Sequence, residues 1–173
     1  MRTLDHGRTA LVLIDLMDRI VDLPVEPRPG RAVLEASLAL ATDFRAVGAP
    51  VVAVRVERPG VEVQPPGSDL VASVAEIADE VVVKRSIGGF HGTDLDDLLR
   101  ERGVDTLVLT GIATNLGVES TARSAVDLGY SVVFVEDAMA ALTAQEHRAP
   151  VELSFPRLGE VTALADLVWG PAN

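Results

Sequence analysis

The sequence predicts a three-layer α/β/α fold, in which helices cover both faces of a mostly parallel sheet of about six strands. Short continuous apolar runs, typical of strands buried on both faces, alternate along the chain with segments of helical period. This alternation implies right-handed crossovers between parallel strands. At 173 residues, of which 48% are hydrophobic, the chain is expected to form one domain over residues 1–173 with a sizeable core.

The first part of the chain contains two predicted strands around one long helix. Residues 9–15 (TALVLID) form an apolar run that ends at an acid. After a proline-rich loop, residues 31–47 carry the apolar stripe of a helix, which Gly48 ends. Residues 50–56 predict the second strand, and prolines and glycines mark residues 58–67 as a surface loop.

The middle of the chain continues the alternation. Residues 69–77 predict a short helix, and residues 80–83 form a β-branched run typical of a strand. A helix follows over residues 94–102, with Thr93 as its N-cap. Residues 106–110 predict the fourth strand.

The last third of the chain predicts two helices and two strands. Residues 115–128 form a helix, and residues 131–135 form the fifth strand. Thr143 starts another helix, because Glu146 follows it at the spacing of a capping box. Residues 161–164 predict a last, shorter strand.

Charge and composition exclude several classes of partner and chemistry. The 15 basic and 26 acidic residues give a net charge of −11, so we expect no nucleic-acid partner and no membrane partner. No apolar run is long enough to cross a bilayer and the N-terminus lacks the pattern of a secretion signal, which predicts a cytoplasmic protein. The absence of cysteine excludes disulfides, cysteine metal sites and every thiolate mechanism.

Candidate site residues follow the predicted strands at their carboxyl ends, where parallel α/β sheets bind ligands. Asp15 follows the first strand, Lys84 the third, and residues 111–117 form a glycine-rich turn after the fourth. Lys84 is the only lysine beside 14 arginines, and its compact charge and tunable pKa favour a functional role over that of a solvated strand end. Taken alone, Asp15 fits a turn cap or a partner of Arg19 at least as well.

The turn TGIATNLG, over residues 110–117, does not match a nucleotide-binding loop. It lacks the GK[ST] ending of a P-loop and the G-x-G-x-x-G spacing of a dinucleotide site. Gly111 and Gly117 nevertheless allow the backbone to approach a ligand closely. The free N–H groups at the start of the following helix favour negative charge, so we expect an oxyanion or a carboxylate to dock there.

These segments resemble the isochorismatase-like hydrolases, also called cysteine hydrolases. The resemblance spans nearly the full chain and rests on ALVLIDLM, VVKRSIGGFHGTDLDDLLR, VFVEDAMAAL and, most specifically, TGIATNLGVESTARSAVDLGY. It implies a Rossmann-like sheet and an Asp–Lys–Cys catalytic triad, which falls here on Asp15, Lys84 and Gly117. It also implies a cis peptide bond between Ile112 and Ala113, and an oxyanion pocket formed by N–H groups at residues 113 and 117.

The chain departs from the family pattern at the nucleophile, because Gly117 stands where most members carry the cysteine. Amide hydrolysis through a thioester, the route implied for nicotinamidases, is therefore disfavoured. The segment VVAVRVERPG lacks the Asp-x-His pair of the nicotinamidase metal site, so we expect no metal and no cofactor. The resemblance also includes true isochorismatases, which carry glycine at this position and cleave a vinyl ether.

Six further residues are predicted to contact the substrate: Met17, Phe90, His91, Ala113, Thr114 and Asn115. Met17 stands where relatives commonly show a glutamine, which suggests a more apolar pocket. Phe90 and His91 belong to a glycine-flanked loop that can close over a ligand. The alternatives are that Phe90 packs into a core, that His91 is solvated, and that Asn115 caps the following helix.

The main functional hypothesis is a hydrolase that acts on a small-molecule substrate through Asp15 and Lys84. A vinyl ether, or a related C–O or C–N bond, is cleaved when a carboxylic acid delivers a proton and water captures the cation. A neighbouring cation lowers the pKa of Asp15 whereas burial raises it, and the sequence leaves open which prevails. The alternative is a catalytically inactive member that binds a ligand or supports an assembly. By the resemblance, the chain forms a homodimer or a larger homo-oligomer.

Overall fold

The fold is built on a central sheet of six parallel strands. The structure is a computed structural model that describes residues 1–170. The strands along the chain are β1 (Arg2–Leu4), β2 (Thr9–Ile14), β3 (Val51–Val56), β4 (Glu80–Lys84), β5 (Thr106–Ile112), β6 (Ser131–Ala140), β7 (Glu160–Thr162) and β8 (Leu167–Trp169). The order across the central sheet is β4-β3-β2-β5-β6-β7. Strands β1 and β8 form a separate parallel pair.

Helices connect the strands and cover the two faces of the sheet. They are α1 (Asp18–Val21), α2 (Gly30–Ala46), α3 (Ala72–Ile77), α4 (Leu95–Glu101), α5 (Glu119–Asp127), α6 (Ala144–Ala149) and α7 (Phe155–Leu158). Two π-helical turns, Thr114–Val118 and Pro150–Ser154, precede α5 and α7. Within residues 1–170, no helix has the length and apolar character needed to cross a bilayer.

The burial of β2 shows why the sheet needs helices on both faces. All six residues of β2 are buried, and successive side chains of a strand point to opposite faces. Leu11 and Leu13 belong to the core that α2 covers, whereas Val12 and Ile14 belong to the core that α4 and α5 cover. The predicted three-layer α/β/α fold is confirmed.

Several boundaries differ from the sequence prediction. The helix predicted over residues 115–128 begins as a π-helical turn, because the N–H of Val118 donates to the carbonyl of Ala113, five residues earlier, at 3.2 Å. Strand β6 continues to Ala140 rather than ending at residue 135, and β7 covers Glu160–Thr162 rather than residues 161–164. The sequence did not predict β1 and β8, since three residues are too few to show a period.

The predicted helix caps have different outcomes. The hydroxyl of Thr143 accepts a hydrogen bond from the N–H of Glu146 at 3.2 Å, which confirms the capping interaction at the start of α6. Helix α4 starts one residue later than predicted, at Leu95. The Thr93 hydroxyl accepts only a long bond of 3.4 Å from Leu95 N–H, since it donates to the carbonyl of Gly89 at 2.6 Å.

Candidate active site

Three predicted catalytic positions meet at the carboxyl edge of the sheet. Asp15 follows β2, Lys84 ends β4, and Gly117 lies in the π-helical turn after β5. The Lys84 ammonium lies 2.8 Å from Oδ2 of Asp15. A Cβ on Gly117 would lie 2.9 Å from that same oxygen and 3.3 Å from Lys84 Nζ. The three positions are therefore in mutual contact, although they are far apart in sequence.

The strand order explains why a long side chain is needed at position 84. Strand β3 lies between β2 and β4, so the ends of β2 and β4 are about 10 Å apart. The Lys84 backbone is held to the end of β3, where its carbonyl accepts a bond from the N–H of Glu57 at 2.9 Å. Its side chain must therefore reach past the end of β3 to contact Asp15.

Asp15 has an unusual backbone conformation. Within residues 1–170 it is the only residue other than glycine with a positive φ, of 53°. Its N–H donates to the carbonyl of Val54 at 2.8 Å, which holds the turn against β3. Left-handed backbone costs an L-residue about 1–2 kcal/mol, and such residues cluster at functional sites. The conformation sets where the carboxylate leaves the end of β2.

Gly111 allows β5 to approach β2 closely beside Asp15. Its φ is 124°, and a Cβ at this position would lie 2.0 Å from the carbonyl oxygen of Ile14. No side chain fits in that space. The peptide bond between Ile112 and Ala113, one residue further along, is cis, as the resemblance predicted.

The electrostatics of the pair are decided by burial. Asp15 is 5% exposed and Lys84 2% exposed. Burial raises the pKa of Asp15, and the nearby charges of Lys84 and Arg19 offset only part of this effect. Lys84 also donates to the carbonyl of Ile87. The second carboxylate oxygen of Asp15, Oδ1, is buried and has no hydrogen-bond partner among the described residues. Asp15 therefore holds its proton to a higher pH than a solvated aspartate.

A cavity of about 460 Å³ opens beside this pair. Its lining residues are Asp15, Arg19, Ile20, Leu23, Val56, Glu57, Arg58, Pro59, Lys84, Arg85, Ser86, Ile87, Ile112, Ala113, Leu116, Gly117 and Leu142. The volume lies within the range of about 300–1,000 Å³ that is typical of small-molecule sites. The cavity has mainly apolar walls and a few charged groups, the composition expected of a site that binds and orients a small ligand.

Comparison with known proteins decides the family. The family model described as the isochorismatase domain matches residues 9–166 of the chain. The chain belongs to the isochorismatase family. It is 37% identical over 185 residues to the family protein YecD of Escherichia coli O157:H7, covering 97% of this chain and 98% of YecD. It is 41% identical over 175 residues to YwoC of Bacillus subtilis, covering 91% and 90% of the two chains.

A solved structure agrees with this assignment. An isochorismatase family protein from Burkholderia thailandensis superposes with a TM-score of 0.87 and 40% identity, covering 95% of each chain. The resemblance that the sequence motifs indicated is therefore confirmed at the level of the family and its fold.

Five of the six residues predicted to contact substrate do not line the cavity, and three of these five lie away from the turn after β5. Met17 is fully buried in the core beneath α2. Phe90 packs on Tyr130, with ring centroids 5.8 Å apart, and His91 is exposed to solvent. The structure therefore agrees with the alternative from the sequence, in which Phe90 packs against other apolar residues and His91 is solvated.

The remaining three predicted contacts lie on or next to the π-helical turn. Ala113 lines the cavity. Thr114 is fully buried and hydrogen-bonds through Oγ1 with Nδ1 of the buried His147, at 2.9 Å. Asn115 makes no capping hydrogen bond and lines a separate cavity of about 540 Å³ next to α6, together with Thr143. Only the first of the three faces the Asp15–Lys84 pair.

Thr121 supports the site, although the sequence analysis assigned it no role. This buried residue of α5 donates to the carbonyl of Gly117 at 2.6 Å and accepts from the N–H of Gly89 at 2.9 Å. It thereby joins the turn after β5 to the loop after Lys84. A threonine hydroxyl that donates to the carbonyl four residues earlier is common in helices and gives no sign of a special role. The bond from the N–H of Gly89 is what shows that Thr121 connects two loops of the site.

No group of three or more histidine, aspartate or glutamate side chains within residues 1–170 is arranged to hold a metal ion. The expectation of a site without metal stays a prediction from the sequence.

A Gly117→Cys variant tests whether this turn is a nucleophile position. We expect the new thiol to be alkylated by iodoacetamide at neutral pH at least about tenfold faster than an ordinary thiol, because the nearby Lys84 lowers its pKa. The variant should also be less stable by about 1–3 kcal/mol, since its Cβ would lie 2.9 Å from both Asp15 Oδ2 and Ile14 Cγ2. Mass spectrometry follows the alkylation and urea unfolding the stability.

The matched control is Val63→Cys, at a loop residue that is 81% exposed. Its thiol should react at the rate of a free cysteine. An unreactive thiol at position 117, in a variant that folds, would contradict the assignment of this turn as a nucleophile position.

Proposed function

We propose that this isochorismatase-family protein is a hydrolase that cleaves a C–O or C–N bond of a small metabolite by acid–base chemistry, without a covalent cysteine intermediate. The observation that carries the proposal is the buried contact of 2.8 Å between Asp15 and Lys84, next to a cavity of about 460 Å³. The chain contains no cysteine. The proton of Asp15 is therefore the reactive group that the site offers.

The raised pKa of Asp15 favours a general acid. For a vinyl ether, Asp15 gives its proton to the terminal enol carbon, which leaves a cation on the carbon that bears the ether oxygen. Water adds to this carbon and returns a proton to the Asp15 carboxylate. The resulting hemiketal breaks its C–O bond and releases a ketone and an alcohol. The cycle ends with Asp15 protonated as at the start.

Lys84 orients the acid and stabilises its ionised form. Its ammonium contacts Oδ2 of Asp15 and fixes the orientation of the carboxyl group beside the cavity. When Asp15 has given up its proton, the Lys84 charge stabilises the carboxylate that remains. For a C–N bond, the ionised Asp15 would instead take a proton from water, and the N–H groups of Ala113 and Gly117 would receive the developing oxyanion.

The alternative, a member that only binds a ligand or supports an assembly, explains Gly117 but not the buried pair. A buried aspartate and lysine cost desolvation free energy, and a binding protein gains nothing from an aspartate with a raised pKa. A cavity that side chains had filled would have favoured a role in assembly. The open cavity supports a protein that binds a small molecule, and the buried pair beside it favours a hydrolase.

Turnover of a substrate panel tests the proposal. The panel contains isochorismate as the vinyl ether, nicotinamide and related amides. We expect turnover of the vinyl ether, and in ²H₂O we expect one solvent deuteron on the former enol carbon of the product, because the acid delivers its proton there. Nuclear magnetic resonance detects that deuteron. Binding without turnover of any member of the panel would contradict the proposal and favour the ligand-binding alternative.

A further inference from the structure

The charged residues that line the cavity are confined to one side of it. They follow three adjacent strands: Asp15 and Arg19 come after β2, Glu57 and Arg58 after β3, and Lys84 and Arg85 end or follow β4. The lining residues that end or follow β5 and β6 carry no charge; they are Ile112, Ala113, Leu116, Gly117 and Leu142. The cavity thus has a charged side and an uncharged side.

The sign of this charge opposes that of the whole chain. The protein has 26 acidic and 15 basic residues, for a net charge of −11, yet four basic and only two acidic residues line the cavity. A local excess of positive charge on an acidic protein concentrates anions at that place. The distribution therefore points to an anionic ligand.

Two of the cavity arginines form no ion pair with any residue of the described range 1–170. Of the 14 arginines, eleven lie within 4.0 Å of a carboxylate oxygen among residues 1–170. The three that form no such pair with a described residue are Arg19, Arg58 and Arg157, and the first two line the cavity. Two of these three arginines thus lie together at one cavity, where their charges are available to an anionic ligand.

The third cavity arginine, Arg85, is held in place by the protein. It pairs with Oε2 of Glu57 at 2.7 Å, while Arg55 pairs with Oε1 of the same carboxylate at 2.8 Å. Glu57 is therefore shared between two guanidinium groups and does not neutralise Arg19 or Arg58. Arg19 is anchored by one bond of 3.1 Å from Nε to the Ser68 hydroxyl, which leaves its terminal amino groups for a ligand.

We propose that the cavity binds a small organic carboxylate, with its carboxylate group on Arg19 and Arg58 and its apolar body against the uncharged side. An arginine guanidinium matches the planar geometry of a carboxylate and binds it through two parallel hydrogen bonds. Arg19 and Asp15 line the same cavity. A carboxylate bound at Arg19 thus places the rest of the molecule at the proposed acid. The chemistry at Asp15 rests on the proposed function, whereas the binding of the carboxylate does not.

Isothermal titration with benzoate and with its neutral analogue benzamide tests this inference. We expect the wild-type protein to bind benzoate at least about tenfold more tightly than benzamide in low salt, and this preference to shrink as salt is added. Arg19→Gln and Arg58→Gln should each weaken benzoate binding about five- to tenfold and benzamide binding by less than about twofold, because the neutral ligand loses no ion pair. Circular dichroism shows that each variant is folded.

The matched control is Arg157→Gln, which removes the third arginine that forms no ion pair within residues 1–170 and which lies outside the cavity. It should leave the affinity for both ligands unchanged. Benzoate that binds no better than benzamide, or that binds equally to wild type and to both cavity variants, overturns the proposal. Binding is measured without turnover, so the two proposals can fail separately. A protein that prefers benzoate but hydrolyses no substrate refutes only the proposed hydrolase function. A protein that hydrolyses only uncharged substrates refutes only the proposed carboxylate site.

Discussion

Asp15→Asn is expected to lower kcat/KM for any hydrolysed substrate by about 10²–10⁴-fold, the usual contribution of a general acid or base. Asparagine keeps the shape of the side chain and tolerates a left-handed backbone, so the variant should fold. It cannot give or take the proton that both proposed routes need. The measurement is the turnover of the panel substrate that the wild type hydrolyses best.

The control for this loss is Asp43→Asn, which removes a carboxylate from the exposed face of α2, away from the cavity. It should keep the wild-type turnover. If Asp15→Asn retained more than about a tenth of that turnover, Asp15 would not be the proton donor, and the role of Lys84 as its partner would be lost as well.

The pH dependence of stability checks the protonation state of Asp15 independently of activity. The folded state raises the pKa of Asp15, so protonation stabilises the fold. This contribution is complete below the ordinary pKa of aspartate, about 4, and is lost as the pH rises through the raised value. Asparagine does not titrate. The free energy of unfolding of the wild type should therefore fall relative to that of Asp15→Asn as the pH rises through this window.

Gly111→Ala is expected to destabilise the protein by more than about 4 kcal/mol, or to prevent folding. Its Cβ would lie 2.0 Å from the carbonyl oxygen of Ile14, in the centre of the sheet. Ile14 and Gly111 are register partners in the hydrogen-bonded pair β2–β5, so neither backbone can move away alone. Relieving the clash would require the two strands to separate, and this would disrupt the packing that forms the site. Urea unfolding measures the effect.

Gly129→Ala separates the cost of the left-handed backbone conformation from the cost of the steric clash. Gly129 also has a positive φ, of 90°, but a Cβ there meets nothing within 4 Å. It should cost only about 1–2 kcal/mol, the price of the left-handed conformation. Equal losses at the two positions would contradict the close approach of β5 and β2 as the cause.

The sequence alone determined the sheet and two members of the site. Strands buried on both faces appear as local apolar runs, such as the one that ends at Asp15, and their carboxyl ends meet at one edge of a parallel sheet. This rule, with the single lysine, was enough to predict that Lys84 and Asp15 lie on the same edge. The position of Gly117 came from a motif in one continuous segment.

Only the tertiary structure decided what the site can do. Whether burial or charge controls the pKa of Asp15 depends on how completely distant segments exclude water from it, which no local pattern records. The roles of Thr121, Arg19 and Arg58 depend on which loops lie next to each other. The same is true of Phe90, which packs against Tyr130 and does not line the cavity. A strand is specified by its own residues, whereas a cavity is bounded by loops whose paths are set by everything they pack against.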